Sequence, residues 1–521
     1  MQLVKLYSRT VIWALASLLV FGTLSSCKSS RSAASGDDGQ IEIAFVQLND
    51  VYEIAGVDGG KVGDLSRVAH YWKKIRQKYP ASMMVHAGDF LNPSLIGTLR
   101  YQGERIKGKQ MVEVMNVMGI DLAVFGNHEF DLDEEDLQKR IDESTFDWIS
   151  TNTYQACGDK VYPFYKNVDG KKQFFPESKV YTFSDADGTT ARIGFFTGLI
   201  AANPVPYVRY YDPDSCAAIE IKRLKEASDI IIGLTHLSID QDLALARKQP
   251  EVKLIMGGHE HDNMFHKVGD ATVAKADANA KTVYLHVVGY NKKTGKISVN
   301  SDLIEINEKM PKDPEVEGLI RRWNAIMEEN VKQIIPEPYE VVYHADPPLD
   351  GKESTIRHQQ ANMGRIFTQA MLEYARHNPV AAVMNSGSIR IDDEISGEIV
   401  AIDIIRALPF HGSLWEVTMK GKLLTEVLDF SENSKGSGAY LQYNGIDRKG
   451  DAWYIQGKPV QSDQDYLIAI NDFLLKGYDI PFLKEGVDGI STIYKPDESD
   501  QDDLRNDVRK MIITYLKTLK D

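Results

Sequence analysis

Five short apolar segments in the first half of the chain end in the same abrupt way, each running into glycine, asparagine, aspartate or histidine. Residues 41–48 lead into Asn49-Asp50, and 83–85 into His86-Ala87-Gly88-Asp89. Residues 122–125 lead into Gly126-Asn127-His128-Glu129, 230–234 into Thr235-His236, and 252–256 into Gly257-Gly258-His259-Glu260-His261. Apolar runs of this length bounded by turn residues predict buried strands. Between several of them, as at 65–78 and 108–118, apolar positions recur at helical spacing. The alternation predicts an α/β fold, in which ligands gather at the carboxyl ends of the strands.

Further along, residues 314–335 place Leu319, Trp323, Ile326 and Val331 on or near one helical face. Pro336, Pro338, Pro347 and Pro348 then break the pattern, so a second domain is expected to begin near 340. The expected division is a first domain at 41–310, a linker helix within 311–340 and a second domain at 341–521.

The first 27 residues stand apart. Lys5 and Arg9 precede an apolar run at 11–20 that is too short to span a bilayer comfortably, the pattern of an export signal. It ends in Leu24-Ser25-Ser26-Cys27, which resembles a bacterial lipobox, with Cys27 as the lipid-bearing residue and the small, polar residues 28–40 as a flexible tether. The expected location is therefore outside the cytoplasm, on a bacterial membrane, facing the periplasm or the cell surface. Cys157 and Cys216 remain, and they can pair only if the fold brings them within disulfide reach. A net charge of −15 disfavours polyanionic partners, so no nucleic-acid polymer is expected.

Asp50, Gly88-Asp89, Gly126-Asn127-His128-Glu129, His236 and His259-Glu260-His261 reproduce in order the calcineurin-like metallophosphoesterase signature. In detail the chain resembles the bacterial 5'-nucleotidase family, whose members also hydrolyse cyclic nucleotides and nucleotide sugars. The resemblance implies an αββα metallophosphoesterase sandwich followed by an α/β nucleotide-binding domain. It also implies two divalent metal ions, with Asp89 bridging them, Asn127, His236 and His259 on one, and Asp50 with His261 on the other. Mixed imidazole and carboxylate ligands suit Zn, Mn, Co or Fe. His128 is implied as the transition-state donor or leaving-group acid, oriented by Asp131 three residues on.

One motif departs from the family. Its Asp-x-His reads Asp50-Val51-Tyr52-Glu53 here, so one imidazole of the first metal site is missing. A weakened site, a rescue by Tyr52 or Glu53, and a single-metal protein all follow as readings. In the second domain, Asn362-Met363-Gly364-Arg365, Asn385-Ser386-Gly387-Ser388-Ile389-Arg390 and Leu408-Pro409-Phe410 resemble the family's nucleotide-binding segments. The implied substrate contacts are Arg390, with Arg365 or Arg357, for phosphate, Asn385 for phosphate or ribose, and Phe410 stacked on the base. The second ring usually follows a Gly-Gly-Asp-Gly turn. Here that stretch reads Lys476-Gly477-Tyr478-Asp479-Ile480-Pro481-Phe482, leaving Tyr478 or Phe482 as partner. The expected activity is a 5'-nucleotidase. The enzyme alternatives are a 2',3'-cyclic-nucleotide phosphodiesterase with 3'-nucleotidase activity or a UDP-sugar hydrolase. The non-enzyme alternative is a nucleotide-binding lipoprotein with an impaired metal centre.

Overall fold

The computed structural model describes residues 37–202, 204–391 and 393–519. Cys27, the apolar run at 11–20 and most of the tether lie outside the described residues. Two six-stranded sheets form the first domain. One runs in the spatial order Lys296–Glu305, Thr282–Asn291, Gln40–Leu48, Ser82–His86, Leu122–Ala123, Asp147–Trp148. The other runs Ser178–Ser184, Thr190–Leu199, Ile230–His236, Val252–Gly257, Ala271–Lys275, Met264–Val268. Neighbours within the centre of each sheet are parallel.

Because successive side chains in a strand point to opposite faces, the continuous apolar runs fill two layers at once. Ile43, Phe45, Met83 and Val85 from the first sheet meet Phe195, Ile232, Leu234 and Met256 from the second in one buried layer between the sheets. The intervening Ala44, Val46, Leu48 and Met84 face the helices Leu65–Lys78 and Lys109–Met118. Ile231, Ile255 and Val273 face the helices Pro213–Ala227 and Ile239–Lys248. The result is the αββα sandwich. Two elements are shorter than the apolar pattern suggests. Gly108, at φ 82°, caps the helix rather than opening it, and of residues 122–125 only Leu122–Ala123 pairs as strand.

The helix Pro314–Ile334 begins where Asp313 accepts from the Val316 N–H, with proline in the first turn, where its missing N–H costs nothing. It lies against the first domain. Trp323 is fully buried and its indole N–H donates to Glu113 over 2.9 Å, while Lys73 pairs with Asp313 at 2.5 Å. Beyond it, a five-stranded sheet runs in the order Leu441–Asn444, Ala381–Asn385, Asp465–Asn471, Leu414–Lys420, Ile490–Tyr494. Its two faces carry the helices Asn362–Tyr374 and Gly421–Asn433. Arg390 with Asp131 (3.0 Å), Arg406 with Glu53 (3.5 Å) and Lys281 with Asp393 (2.5 Å) tie this part to the first. Cys157 and Cys216 are both free thiols. No helix among the described residues is long and apolar enough to cross a membrane.

Candidate active site

The turns that follow the five parallel strands converge at one edge of the sandwich. Asp50 lies two residues beyond Gln40–Leu48, Asp89 three beyond Ser82–His86, and His236 is the last residue of its own strand. His259 and His261 follow Val252–Gly257. Asp50, Asp89, His259 and His261 all have left-handed backbone, with φ of 53°, 59°, 94° and 66°. A non-glycine residue held there is strained by about 1 kcal/mol or more, and such strain persists only where the surroundings over-determine it.

Those surroundings are tight. A Cβ on Gly126 would stand 2.1 Å from an Asp89 carboxylate oxygen, and one on Gly258 would stand 2.8 Å from His236 Nδ1. Glycine at these two positions is therefore a condition for the close approach. Glu129 clamps the turns from beneath. Its buried carboxylate accepts from the backbone N–H groups of Asp89 (2.9 Å), Phe90 (2.8 Å), Leu91 (3.0 Å) and Gly126 (2.6 Å). Burial and the Asp89 charge still push it up to about 7.

The two central carboxylates are buried, and their charged neighbours are histidines. Nε2 of His236 lies 3.1 Å from Asp89 Oδ2 and 3.8 Å from Asp50 Oδ1, and Nε2 of His261 lies 3.4 Å from Asp50 Oδ1. His236 Nδ1 is 2.8 Å from the Ala87 carbonyl, which can only accept, so the ring N–H points there and Nε2 turns toward the carboxylates. Burial disfavours its charge, but the Asp89 and Asp50 carboxylates raise it to about 9. His259, facing His236 edge-on at 5.4 Å, is held down to about 3 by burial.

The donor set fits divalent cations. Ligand atoms of Asp50, Asp89 and His261 lie within 4.8 Å of one another, and two buried carboxylates ringed by imidazoles make a mixed oxygen and nitrogen site. Tyr52 enters this set. It is buried, and its hydroxyl stands 3.2 Å from Asp89 Oδ2 and 3.1 Å from His261 Nε2. Glu53 turns away toward Arg406 and is not part of the cluster.

Beside the carboxylates, His128 and Asp131 form a pair, Nδ1 to Oδ2, at 2.7 Å. The same Asp131 oxygen accepts from Asn92 Nδ2 (2.8 Å) and from Arg390 (3.0 Å). Burial works against a charge on His128, yet Asp131 and Asp89 lift it above the ordinary histidine value. Asp89, Asn127, His128, His259 and His261 form one wall of a cleft of about 850 Å³, and Lys352, Glu353, Arg357 and His358 stand on the other.

The second-domain residues meet this cleft unevenly. Arg390 reaches His128 and Asp131, and Arg357 lines the cleft in a close pair with Glu353. Asn385 is only 2% exposed and its amide is engaged by Asp479 (2.6 Å), Ser388 (2.6 Å) and Asn471 (2.9 Å), so its contacts are internal. Arg365 is exposed on the helix Asn362–Tyr374 and does not line the cleft. Phe410, Tyr478 and Phe482 are all exposed, and none lines the cleft. In the last turn Ile480 takes the buried position, leaving Tyr478 against Phe473 and Phe482 against Phe430. Sequence reasoning missed Glu129's clamp, although the residue lies inside the Gly-Asn-His-Glu motif. It also missed Asn92, Glu353 and Asp479; only Asp479 carried a signal, its place in the altered turn.

Residues 43–263 match the family model for calcineurin-like phosphoesterases, and residues 341–485 match the model for the 5'-nucleotidase C-terminal domain. That pair defines a metallophosphoesterase, a hydrolase acting on phosphate-ester bonds. The 5'-nucleotidase of Bos taurus is 24% identical over 504 residues, covering 84% of this chain and 83% of its own. That of Vibrio cholerae is 29% identical over 423 residues, covering 70% and 72%. A 5'-nucleotidase precursor from Thermus thermophilus shares the fold with a TM-score of 0.71 at 21% identity, over 92% of this chain and 97% of that one. The chain belongs to the 5'-nucleotidase family.

Proposed function

We propose that this chain removes phosphate from nucleoside 5'-monophosphates outside the cytoplasm, using a two-metal centre on the first domain and the second domain, from about residue 341, as substrate reader. The observation that carries this reading is the convergence of Asp50, Asp89, His236, His259 and His261 beside the His128–Asp131 pair, in a cleft whose other wall carries Arg357. Asp89, Asn127, His236 and His259 would hold one cation, and Asp50, Asp89 and His261 the other. Bound there, divalent cations supply Lewis acidity toward the phosphate and lower the pKa of water. Zn, Mn, Co and Fe suit these ligands.

The chain's own groups supply the rest. His128, kept protonated by Asp131, presents its charge beside the phosphate and hands a proton to the leaving oxygen. Arg390 and Arg357 offer planar donors to phosphate oxygens once they exchange their carboxylate partners for substrate. Asn385 would meet phosphate or ribose only by giving up its internal partners Asp479, Ser388 and Asn471. The Tyr52 hydroxyl takes the place of the missing imidazole, and a neutral phenol there is a poorer ligand, so the first cation is held more weakly. Tyr52→His should then lower the metal concentration needed for half-maximal turnover, and an unchanged titration would show Tyr52 to be a competent ligand.

The reading of an exported, lipid-anchored protein rests on Lys5, Arg9, the apolar run at 11–20 and Leu24-Ser25-Ser26-Cys27. Unchanged membrane partitioning in Cys27→Ser would remove that support. The activity itself is tested by chelation, restoration with Mn²⁺ or Zn²⁺, and turnover on AMP, 2',3'-cyclic AMP and UDP-glucose. The expected result is metal-dependent release of phosphate, fastest from AMP. Full activity in the metal-free protein would overturn the metal centre, and preference for the cyclic ester or UDP-glucose would overturn the substrate. No turnover of any ester at saturating metal would leave a nucleotide-binding protein.

A further inference from the structure

A buried ammonium lies behind the histidines of the site. Lys275, the last residue of the strand Ala271–Lys275, is 1% exposed. An ammonium carries three N–H donors and no acceptor. Lys275 has three polar neighbours: it donates to the Leu237 carbonyl at 2.6 Å and to Glu260 in a close ion pair, and its ammonium forms an ion pair with an Asp242 carboxylate oxygen at 3.0 Å. Each of the three leads to a histidine of the site. Leu237 follows His236 directly. Asp242, through its other oxygen, accepts from the Thr235 hydroxyl at 2.7 Å, and Thr235 precedes His236. Glu260 sits between His259 and His261, and its second oxygen accepts from the Ile239 N–H at the start of the helix Ile239–Lys248.

The backbone leaves room for this arrangement. A Cβ on Gly257 would lie 2.9 Å from both an Asp242 carboxylate oxygen and the Lys275 Cε. Glycine there lets the lysine stem pass beneath the turn that carries His259 and His261. Asn49 fastens the next residue, accepting from the Ala276 N–H and donating to its carbonyl at 2.8 Å each, while its amide also reaches Asp50 Oδ2 at 2.8 Å.

A buried ion pair adds little net stability, because desolvation offsets most of its attraction, so stability alone does not account for this group. What the arrangement does provide is geometry. The turn carrying His259 and His261 has strained, left-handed backbone at both histidines; Asp50 accepts from the His259 N–H at 2.9 Å, and Glu260 ties the turn to Lys275 on the neighbouring strand.

We propose that Lys275, with Asp242 and Glu260, is the positioning group of the metal centre: one ammonium fixes the residues flanking His236, His259 and His261, and so sets three imidazoles at once. This rests on the ligand assignment made under Proposed function. Lys275 touches neither substrate nor cation; it acts through the histidines. Groups that hydrogen-bond a ligating side chain directly typically alter metal affinity by about 10- to 100-fold, and Lys275, acting through the neighbouring residues, belongs at the lower end of that range.

The test is calorimetric titration of the metal-free, full-length protein with Mn²⁺, with bound Mn²⁺ counted by electron paramagnetic resonance. Glu260→Gln keeps the shape and the acceptor for Ile239 but removes the ion pair. Lys275→Met combined with Asp242→Asn removes the ammonium without stranding a fully buried carboxylate, and keeps an acceptor for Thr235. Both are expected to raise the Mn²⁺ dissociation constant about 10-fold or more. In Glu260→Gln the melting temperature of the metal-free protein should stay at the wild-type value, with KM for AMP unchanged at saturating Mn²⁺. Wild-type Mn²⁺ affinity in Glu260→Gln overturns the proposal, whether or not the double variant folds. His259→Ala, run alongside, separates the two readings. If it loses affinity and Glu260→Gln does not, only the positioning role fails. If it binds Mn²⁺ as the wild type does, the ligand assignment fails and takes the positioning role with it.

Discussion

The two walls of the cleft are built on opposite principles. The first-domain wall is over-determined: strained backbone at four positions, glycines where no Cβ fits, and a glutamate gathering four N–H groups hold its carboxylates and imidazoles in place. The second-domain wall is poised with its own charges satisfied. Arg357 is paired with Glu353, Arg390 with Asp131, and Asn385 with Asp479, while Phe410, Tyr478 and Phe482 face outward. Reaction chemistry gains most from groups that need no reorganisation. Substrate reading can tolerate an exchange of partners, because binding energy is available to drive it. The difference teaches that the first wall is fixed by its backbone, whereas the proposed substrate contacts of the second would each require an exchange of partners.

The comparison breaks first at Asp89. If the first wall is preorganised around it, Asp89→Asn should reduce kcat by about 10³-fold or more: one lost oxyanion donor alone costs about 10²–10³, and Asp89 is the carboxylate proposed to serve both cations and the acceptor for the His128 N–H. Added Mn²⁺ should not restore it, and steady-state turnover of AMP across a metal titration checks this. A variant rescued by metal would mean that the wall is not organised by this residue.

The next effect is on pH. His128 is raised above its ordinary value, with burial opposing and the Asp131 and Asp89 charges prevailing, so its protonated form persists to higher pH than in a free histidine. Asp131→Asn removes the largest raising charge. The alkaline limb of the pH–rate profile should therefore move to lower pH, with a loss of about 10²-fold near neutrality, at the lower end of general-acid contributions. An unshifted limb would remove His128 as the titrating group.

A smaller effect belongs to the second wall. Arg390→Ala should raise KM for AMP by about 10- to 100-fold, because a charge-assisted hydrogen bond contributes about 1.5–3 kcal/mol. Arg390→Lys should not restore it, a point charge being no substitute for a planar fork. The smallest effect is at Phe410. If this exposed ring stacks on the base, Phe410→Ala should raise KM for AMP and leave p-nitrophenyl phosphate unaffected, stacking contributing about 1–3 kcal/mol. Equal behaviour of the two substrates would make Phe410 an ordinary surface residue, in keeping with its 48% exposure.

Along the chain, the first wall was legible because strand ends are local. An apolar run that stops at Gly-Asp or Gly-Asn-His announces both the strand and the turn after it, and the order of such turns is preserved in sequence. The helix at 314–334 was legible for the same reason, its apolar positions Leu319, Trp323, Ile326 and Val331 recurring at helical spacing. Roles that depend on partners distant in sequence were not legible. Asp50 and His261 are far apart in the numbering yet meet at 3.4 Å, and Glu53 beside Tyr52 turned out to face Arg406, on the other domain.

The sequence by itself determined the α/β class, because periodicity and turn residues act over a few neighbouring residues; the candidate site residues and a boundary near residue 340 are proposals read from it in the same way. Only the tertiary structure decided that Tyr52 rather than Glu53 enters the carboxylate cluster, that Asn385 spends its amide on Asp479, and that Lys275 lies beneath three histidines. Those outcomes turn on which side chains share a buried volume. In a close-packed interior that is set by how whole sheets and domains stack, and no local stretch of sequence contains that information.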